Sequence, residues 1–172
     1  MEKITVKYAK ETNDYVEGKK RILEYVDWLG VDLSFQNFDN EINDLPKMYG
    51  VPNGSLIIAM TNETTIGVAG IRKLDNDVCE LKRMYVQPRY RKLGIGDAMM
   101  QLAIKYAKSQ QYKKMKLDTD KSMNQAISLY LKTGFVEIPP YRFNPYETAL
   151  YFELDLENSN IQTIENELSI CF

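Results

Sequence analysis

The sequence predicts one α/β domain over residues 1–156, with a twisted, mixed and mostly antiparallel central sheet and helices on both of its faces. Three observations indicate this class. Two helical segments follow a first strand, three consecutive strands come next, and the chain then alternates helix, strand, helix and strand. Such a meander followed by a β-α-β unit gives a mixed sheet, because parallel neighbours need a crossover helix. Residues 157–172 form a tail of unknown role.

The N-terminal part begins with one strand and two helical segments. Residues 4–8 alternate apolar and polar side chains, as half-buried strands do. Residues 13–29 have the apolar periodicity of a helix, and Gly30 is expected to end it. A second, short helix is expected to end before Pro46, because a residue that precedes proline disfavours the α conformation.

The rest of the chain supplies the sheet and its crossovers. Residues 53–88 predict three strands, separated by the turn-rich segments TNET and LDND. The next expected elements are a long helix from Ile95, a strand at 114–119, a helix that ends at Gly134 and a last strand at 148–156.

Composition excludes several functional classes. Histidine is absent, which removes Ser-His-Asp and Cys-His catalysis and histidine-based zinc sites. A net charge of −2 gives no general attraction to nucleic acid or acidic membranes. The sequence has no apolar run of about 18 residues, no signal-peptide pattern, and only Cys79 and Cys171 as cysteines. We therefore expect a cytoplasmic, metal-free protein with no nucleic-acid or membrane partner.

The segment VQPRYRKLGIGDAMM places two glycines between basic residues and a helix. Gly94 and Gly96 would let a diphosphate approach the free N–H groups of the helix, and Arg91 and Lys92 would add positive charge. An ordinary strand-to-helix turn is the alternative. Met99 stands where the dinucleotide fingerprint needs a small residue, and the Gly-Lys-Ser/Thr of a P-loop is absent, so NAD and ATP are not supported.

Two motifs together carry a family resemblance. The loop Arg91-Lys-Leu-Gly94-Ile-Gly96 resembles the pyrophosphate loop of the GNAT superfamily of acyl-CoA N-acyltransferases, Arg/Gln-x-x-Gly-x-Gly/Ala. Downstream, AISLYLKTGF at residues 126–135 resembles the family's second block. The element order over residues 3–156 also resembles this fold. The IPPY loop resembles a small-acetyltransferase subgroup whose acceptor is unassigned.

This resemblance implies a transferase that uses acetyl-CoA, binds no metal and acetylates the primary amine of a small molecule or amino acid by direct attack. It also allows a homodimer. A peptide or protein N-acetyltransferase and a non-catalytic CoA-binding regulatory domain are the alternatives.

The resemblance also implies roles for individual residues. Tyr130 would be the general acid, since a phenol pKa of about 10 and a thiol pKa of about 8.5 are close enough for proton transfer to the leaving thiolate. Glu80 would be a base that acts through a water. A core tyrosine and a solvated glutamate are the alternatives. Many relatives carry Asn where Met123 stands, and Asn124 follows one position later. The implied cofactor contacts are Met84, Tyr85, Val86, Arg91, Lys92, Leu93, Gly94, Ile95, Gly96, Asp97, Asn124 and Ile127.

Acceptor selection is expected from the first two helices and the IPPYRFNPYE loop. These segments offer aromatic walls and an arginine that would suit an acidic or amino-acid acceptor. Ordinary packing is the alternative for most of them. The candidates are Tyr25, Trp28, Phe35, Gln36, Tyr141, Arg142 and Tyr146.

Overall fold

The computed structural model describes residues 3–159 and 165–171, which form one eight-stranded sheet flanked by helices. The helices are α1 (Thr12–Leu29), α2 (Phe38–Asn43), α3 (Leu45–Tyr49), α4 (Ile95–Ser109) and α5 (Asn124–Thr133). The strands are β1 (Lys3–Tyr8), β2 (Gly54–Met60), β3 (Thr65–Lys73), β4 (Val78–Val86), β5 (Lys114–Asp120), β6 (Val136–Ile138), β7 (Ala149–Asp155) and β8 (Glu167–Cys171). The strand order is β6-β7-β5-β4-β3-β2-β1-β8, and β4 with β5 is the parallel pair in this order.

The expected mixed, mostly antiparallel sheet with helices on both faces is confirmed. Alternation along β2 shows how both faces are buried, because successive strand residues point to opposite sides. Ile57 and Ala59 pack into the cluster that contains the buried face of α4. Leu56 and Ile58 pack into the cluster that contains Ile22 of α1.

The second helix, α2, ends at Asn43, before Pro46 as expected. A separate helix that was not expected, α3, begins at Leu45 and includes Pro46 in its first turn. Proline is tolerated there because the first N–H groups of a helix have no intrahelical partner. The Asp44 side chain caps α3 by accepting a hydrogen bond from the N–H of Lys47 at 3.2 Å.

Two strands were not expected from the sequence. The three-residue strand β6 pairs antiparallel with β7. The strand β8 pairs antiparallel with β1, so residues 167–171 of the tail extend the same sheet at its edge. Leu168 and Ile170 point towards the main core, whereas their neighbours in β8 are exposed. This alternation joins the described end of the tail to the sheet.

Candidate active site

The site opens where β4 and β5 separate. In the described parts of the chain, their parallel pairing is limited to Val78–Glu80 against Lys114–Lys116. Beyond this point a cavity of about 430 Å³ lies between the two strands. Residues 81–84 of β4, residues 118–120 of β5 and Tyr130 of α5 line it. The cavity therefore begins at the point where β4 ceases to pair with β5.

A β-bulge marks the same position on the other edge of β4. Val68 of β3 lies opposite Tyr85, and Gly70 lies opposite Lys82, so β4 holds one residue more than β3 in this interval. Arg83 within the bulge has a φ of 57°, in the left-handed region. A bulge bends its strand and increases the local twist, which fits the departure of β4 from β5. The bulge on one edge of β4 thus coincides with the gap on its other edge.

The side chain of Arg83 ties the bulge to α2 and α3. Its Nε and Nη2 donate to the Glu41 carboxylate at 2.9 and 2.8 Å, and Tyr49 Oη donates to the same carboxylate at 2.6 Å. Burial raises the pKa of Glu41, but the Arg83 and Tyr49 hydrogen bonds and the Arg83 charge outweigh it and lower this pKa overall. The Arg83 guanidinium also lies 5.2 Å from the Phe38 ring centre.

The glycine loop leads into α4. Gly94 is the N-cap residue and has a φ of 79°, which a residue with a side chain rarely adopts. No described atom lies within 4 Å of the position that a Cβ at Gly94 would take. A Cβ at Gly96 would approach Leu129 Cδ2 to 3.3 Å. Gly94 therefore serves the backbone turn, and Gly96 serves the close contact between α4 and α5.

Arg91 has several neighbours in the protein. Its Nε donates to the Val86 carbonyl at 2.9 Å, and its guanidinium carbon lies 4.7 Å from the centre of the Trp28 ring. Lys92 is exposed and has a φ of 67°. Asp97 pairs with Lys132 at 2.6 Å on the surface. Arg91 thus connects the end of β4 and the glycine loop with α1.

Tyr130 lies in the cavity wall. It is 6% exposed, and its ring packs against Phe135 and Phe152 at centroid distances of 5.8 and 6.1 Å. Its hydroxyl has no hydrogen-bond partner among the described residues. Burial raises the pKa of Tyr130, and nearby Tyr25 and Asp118 raise it further. The phenol is therefore protonated at neutral pH, and it is a weaker acid than an ordinary tyrosine, which widens the gap between its pKa and the thiol pKa.

Glu80 lies behind the cavity wall and is fully buried. Arg72 Nε, Arg142 Nη1 and Tyr141 Oη lie 2.7, 2.9 and 2.8 Å from its carboxylate oxygens. Burial raises the pKa of Glu80, but the surrounding positive charges and the Tyr141 hydrogen bond outweigh it and lower this pKa overall. Glu80 is therefore an ionised group with fixed partners.

Two acceptor candidates belong to this buried cluster. Tyr141 binds Glu80, and Arg142 bridges Glu80 and Asp118, so neither lines the cavity. The other acceptor candidates do line it, namely Tyr25, Trp28, Phe35, Gln36 and Tyr146.

The cofactor candidates divide in a similar way. Met84 lines the cavity. Tyr85 turns its side chain towards α1, where its hydroxyl donates to Glu24 at 2.9 Å. Asn124 is exposed at the first position of α5, and Ile127 packs against the main core. Residues 91–97 lie at the start of α4 and do not line the cavity.

Two segments meet beside the cavity. Tyr146 Oη accepts a hydrogen bond from the Asp32 N–H at 3.0 Å and donates one to the Asp32 carbonyl at 3.1 Å. The rings of Phe35 and Tyr146 pack edge to face at 5.9 Å. The segment after α1 and the loop before β7 are thus in direct contact beside the cavity.

Lys82 is a charged cavity residue that was not among the predicted site residues. It is 5% exposed, lines the cavity, and donates from Nζ to Gln36 Oε1 at 2.9 Å. Its signal was the run Glu-Leu-Lys-Arg inside a strand that is otherwise central and apolar, because buried charges are rare without a function or a partner.

Residues 3–159 and 165–171 contain neither a metal-binding cluster nor a membrane-spanning helix. No group of three or more His, Cys, Asp or Glu residues is arranged there to hold a metal ion. No helix in these ranges is long and apolar enough to cross a membrane.

Known proteins are similar to this chain in sequence and in fold. Residues 22–135 match the model of the acetyltransferase (GNAT) family. An uncharacterized N-acetyltransferase of Schizosaccharomyces pombe is 32% identical over 155 residues, which cover 89% of this chain and 95% of that protein. A GNAT-family acetyltransferase structure from Staphylococcus aureus aligns with a TM-score of 0.74 and 23% identity over 89% of this chain and 99% of that chain. A putative streptothricin acetyltransferase of Bacillus anthracis, solved with acetyl coenzyme A, aligns with a TM-score of 0.56 and 26% identity over 63% of this chain and 66% of that chain.

Proposed function

The chain belongs to the GNAT family of acetyl-CoA-dependent N-acetyltransferases, and we propose that its acceptor is the primary amine of a small molecule or amino acid. One observation carries this proposal. The Tyr146–Asp32 hydrogen bonds join the two segments between which a peptide would need an open groove. Aromatic side chains around the cavity suit a small organic amine.

We place acetyl-CoA along two elements. The diphosphate would bind the free N–H groups at the start of α4, where Gly94 allows the turn and Arg91 and Lys92 add positive charge. The pantetheine arm would enter the gap between β4 and β5. There the backbone of Met84, Tyr85 and Val86 is the expected contact, because the Tyr85 side chain is engaged with Glu24.

We assign the general acid to Tyr130. Its hydroxyl has no hydrogen-bond partner among the described residues, so it is free to bind a group in the cavity. Tyr130 lies in the wall of the cavity that would hold the thioester. We expect Tyr130→Phe to lower kcat by about 10²- to 10⁴-fold and to leave acetyl-CoA affinity unchanged. Unchanged turnover would contradict this role. The same variant separates an enzyme from a CoA-binding domain without turnover.

We propose a positioning role for Glu80 in place of the expected role of water-mediated base. Its contacts with Arg72, Arg142 and Tyr141 and its place behind the cavity support this role. Glu80 would hold Arg142 against Asp118, and thereby fix one wall of the acceptor cavity.

The first experiment tests cofactor binding by calorimetric titration with acetyl-CoA and CoA, with NAD and ATP as negative controls. We expect Gly94→Asp to weaken CoA binding by about 10- to 100-fold, because it places a negative charge beside the diphosphate. The matched control is Gly94→Asn, which has nearly the shape of Asp and the same positive φ of 79° at this position but carries no charge. Equal losses in both variants would indicate strain alone.

The second experiment measures thiol release with an acceptor panel of tyramine, spermidine, L-lysine, phenylalanine amide and short unblocked peptides. Turnover with free amines and none with peptides is expected. Faster turnover of the peptides would overturn the small-molecule proposal, and no CoA binding by the folded protein would overturn the cofactor site. The homodimer and the cytoplasmic location stay predictions, which light scattering and cell fractionation would test.

A further inference from the structure

Lys82 differs from the other buried charged side chains. Five charged side chains are buried in the described part of the chain, and four of them have an ion-pair partner. Among the described residues, no carboxylate oxygen lies within 4.0 Å of the Lys82 amine. A buried ammonium group without a counter-ion is costly, and such an amine loses its proton instead. The paired residues are Asp14, Glu41, Glu80 and Arg83.

Lys82 lies in the cavity where acetyl transfer is proposed to occur. It lies one residue before Arg83 of the bulge and lines the same cavity as Tyr130. Among the described residues, its Nζ donates one hydrogen bond, to Gln36 Oε1 at 2.9 Å, on the segment that follows α1. A neutral amine can donate to this carbonyl oxygen and still keep its lone pair for a group in the cavity. Gln36 thus orients the amine without supplying a charge.

The electrostatic surroundings favour the neutral form. Burial lowers the pKa of Lys82 to about 7, and the Arg83 charge contributes to this shift, whereas Glu80 opposes it. The charged and titratable groups that face Lys82 come from every element around it: Arg72 of β3, Glu80 and Arg83 of β4, Asp118 and Asp120 of β5, Glu41 of α2, Tyr25 of α1, Tyr130 of α5 and Arg142 of the loop before β7. None of the carboxylates in this set forms an ion pair with Lys82.

We propose that Lys82 is the general base that removes the proton from the ammonium group of the bound acceptor. This inference rests on the proposed function, because it assumes that an amine attacks acetyl-CoA in this cavity. It assigns to Lys82 the role that the sequence suggested for Glu80.

The proton and electron balance is complete with this pair of residues. The Lys82 amine takes one proton from the acceptor ammonium group, and the freed lone pair forms the C–N bond to the acetyl carbon. The C–S bond then breaks with its electron pair on sulfur, and Tyr130 gives its proton to that sulfur. The second proton that leaves the nitrogen restores the Tyr130 phenol through cavity water. Lys82 finally releases its proton to solvent, so the sum is amide, CoA thiol and one proton.

The first test needs no acceptor. The protein is labelled with ¹³C-lysine, and the side-chain ε-carbon resonance of Lys82 is assigned by its loss in Lys82→Arg. Its titration midpoint is expected near 7. A midpoint near the ordinary lysine pKa of about 10.4 would overturn the proposal, because the amine would then be charged at neutral pH.

The second test separates a base from a bound positive charge. With the fastest amine of the panel, we expect Lys82→Arg and Lys82→Met to lower kcat equally, by about 10²- to 10⁴-fold. Arginine keeps the charge but cannot give up its proton. The acidic limb of the wild-type kcat profile, near pH 7, should disappear in both variants. Lys114→Met is the matched control, because Lys114 is half exposed and pairs with Glu153 on the surface.

The outcomes distinguish this inference from the proposed function. Wild-type turnover together with full kcat in Lys82→Arg would overturn the base assignment and leave the acetyltransferase intact. Acetylation of Lys82 itself, found by peptide mass analysis after incubation with acetyl-CoA alone, would also overturn it, because Lys82 would then be a nucleophile. Failure of the wild type to bind acetyl-CoA would contradict the proposed function, and the carbon titration would still decide whether the amine is neutral.

Discussion

Replacement of Glu41 by alanine would leave the charge of Arg83 buried without a partner. The side chains of Arg83 and Glu41 are 5% and 0% exposed, and they share two hydrogen bonds. Removing one partner of such a pair costs about 3–5 kcal/mol of unfolding free energy. The hydroxyl of Tyr49 also loses its acceptor, which adds about 1 kcal/mol. A total loss of about 4–6 kcal/mol would lower Tm by about 8–24 °C in a chain of this size.

Urea and thermal unfolding of wild type, Glu41→Ala, Arg83→Met and the double variant Glu41→Leu/Arg83→Met would measure this cost. The double variant should regain most of the loss, because apolar replacement of both partners removes the buried charge as well. The lowered pKa of Glu41 gives a pH dependence. The ionised pair stabilises the fold above the unfolded value of 4.5, and this contribution is lost as pH falls through the lower folded value. A loss below about 1 kcal/mol in Glu41→Ala would refute the reasoning, since water would then have to reach Arg83.

Two further variants probe the cavity and the sheet. Tyr146→Phe removes the hydrogen bonds to Asp32. We expect about a two- to tenfold higher KM for the amine and an unchanged affinity for acetyl-CoA. An equal change in the amine KM and the acetyl-CoA affinity would contradict a role limited to the acceptor side. Gly70→Ala would bring a Cβ to 2.5 Å from Tyr49 Cε1, and the ring is fully buried. We expect a loss of about 1–3 kcal/mol in urea unfolding, and wild-type stability would show that the sheet and α3 can separate there without cost.

The sequence predicted those parts of the fold whose signals are local. Gly30 and Gly134 were expected to end α1 and α5, and both cap their helices with a positive φ. The alternation of residues 4–8 was enough to predict β1. In contrast, β6 and β8 are short, and their pairing with β7 and β1 depends on contacts that no short window of sequence contains.

The site was harder to predict because its geometry depends on pairs that are distant in sequence. The family motifs located the loop of Gly94 and the cavity position of Tyr130. They could not show that Arg83 at the bulge would bind Glu41, 42 residues earlier in the chain. Nor could they show that Arg142 would form an ion pair with Glu80, so that Lys82 has no carboxylate partner of its own.

The three charged residues of β4 explain one another. A buried ion pair rarely stabilises a fold more than well-packed apolar side chains would, so Glu80 and Arg83 are poorly explained by stability alone. Their ion pairs instead keep two carboxylates from pairing directly with Lys82, since Glu80 is bound by Arg72 and Arg142, and Glu41 is bound by Arg83. Breaking either pair should therefore free a carboxylate to bind Lys82 and raise its pKa, which moves the acidic limb of kcat to higher pH. The ion pairs around the cavity and the neutral amine within it form one electrostatic unit.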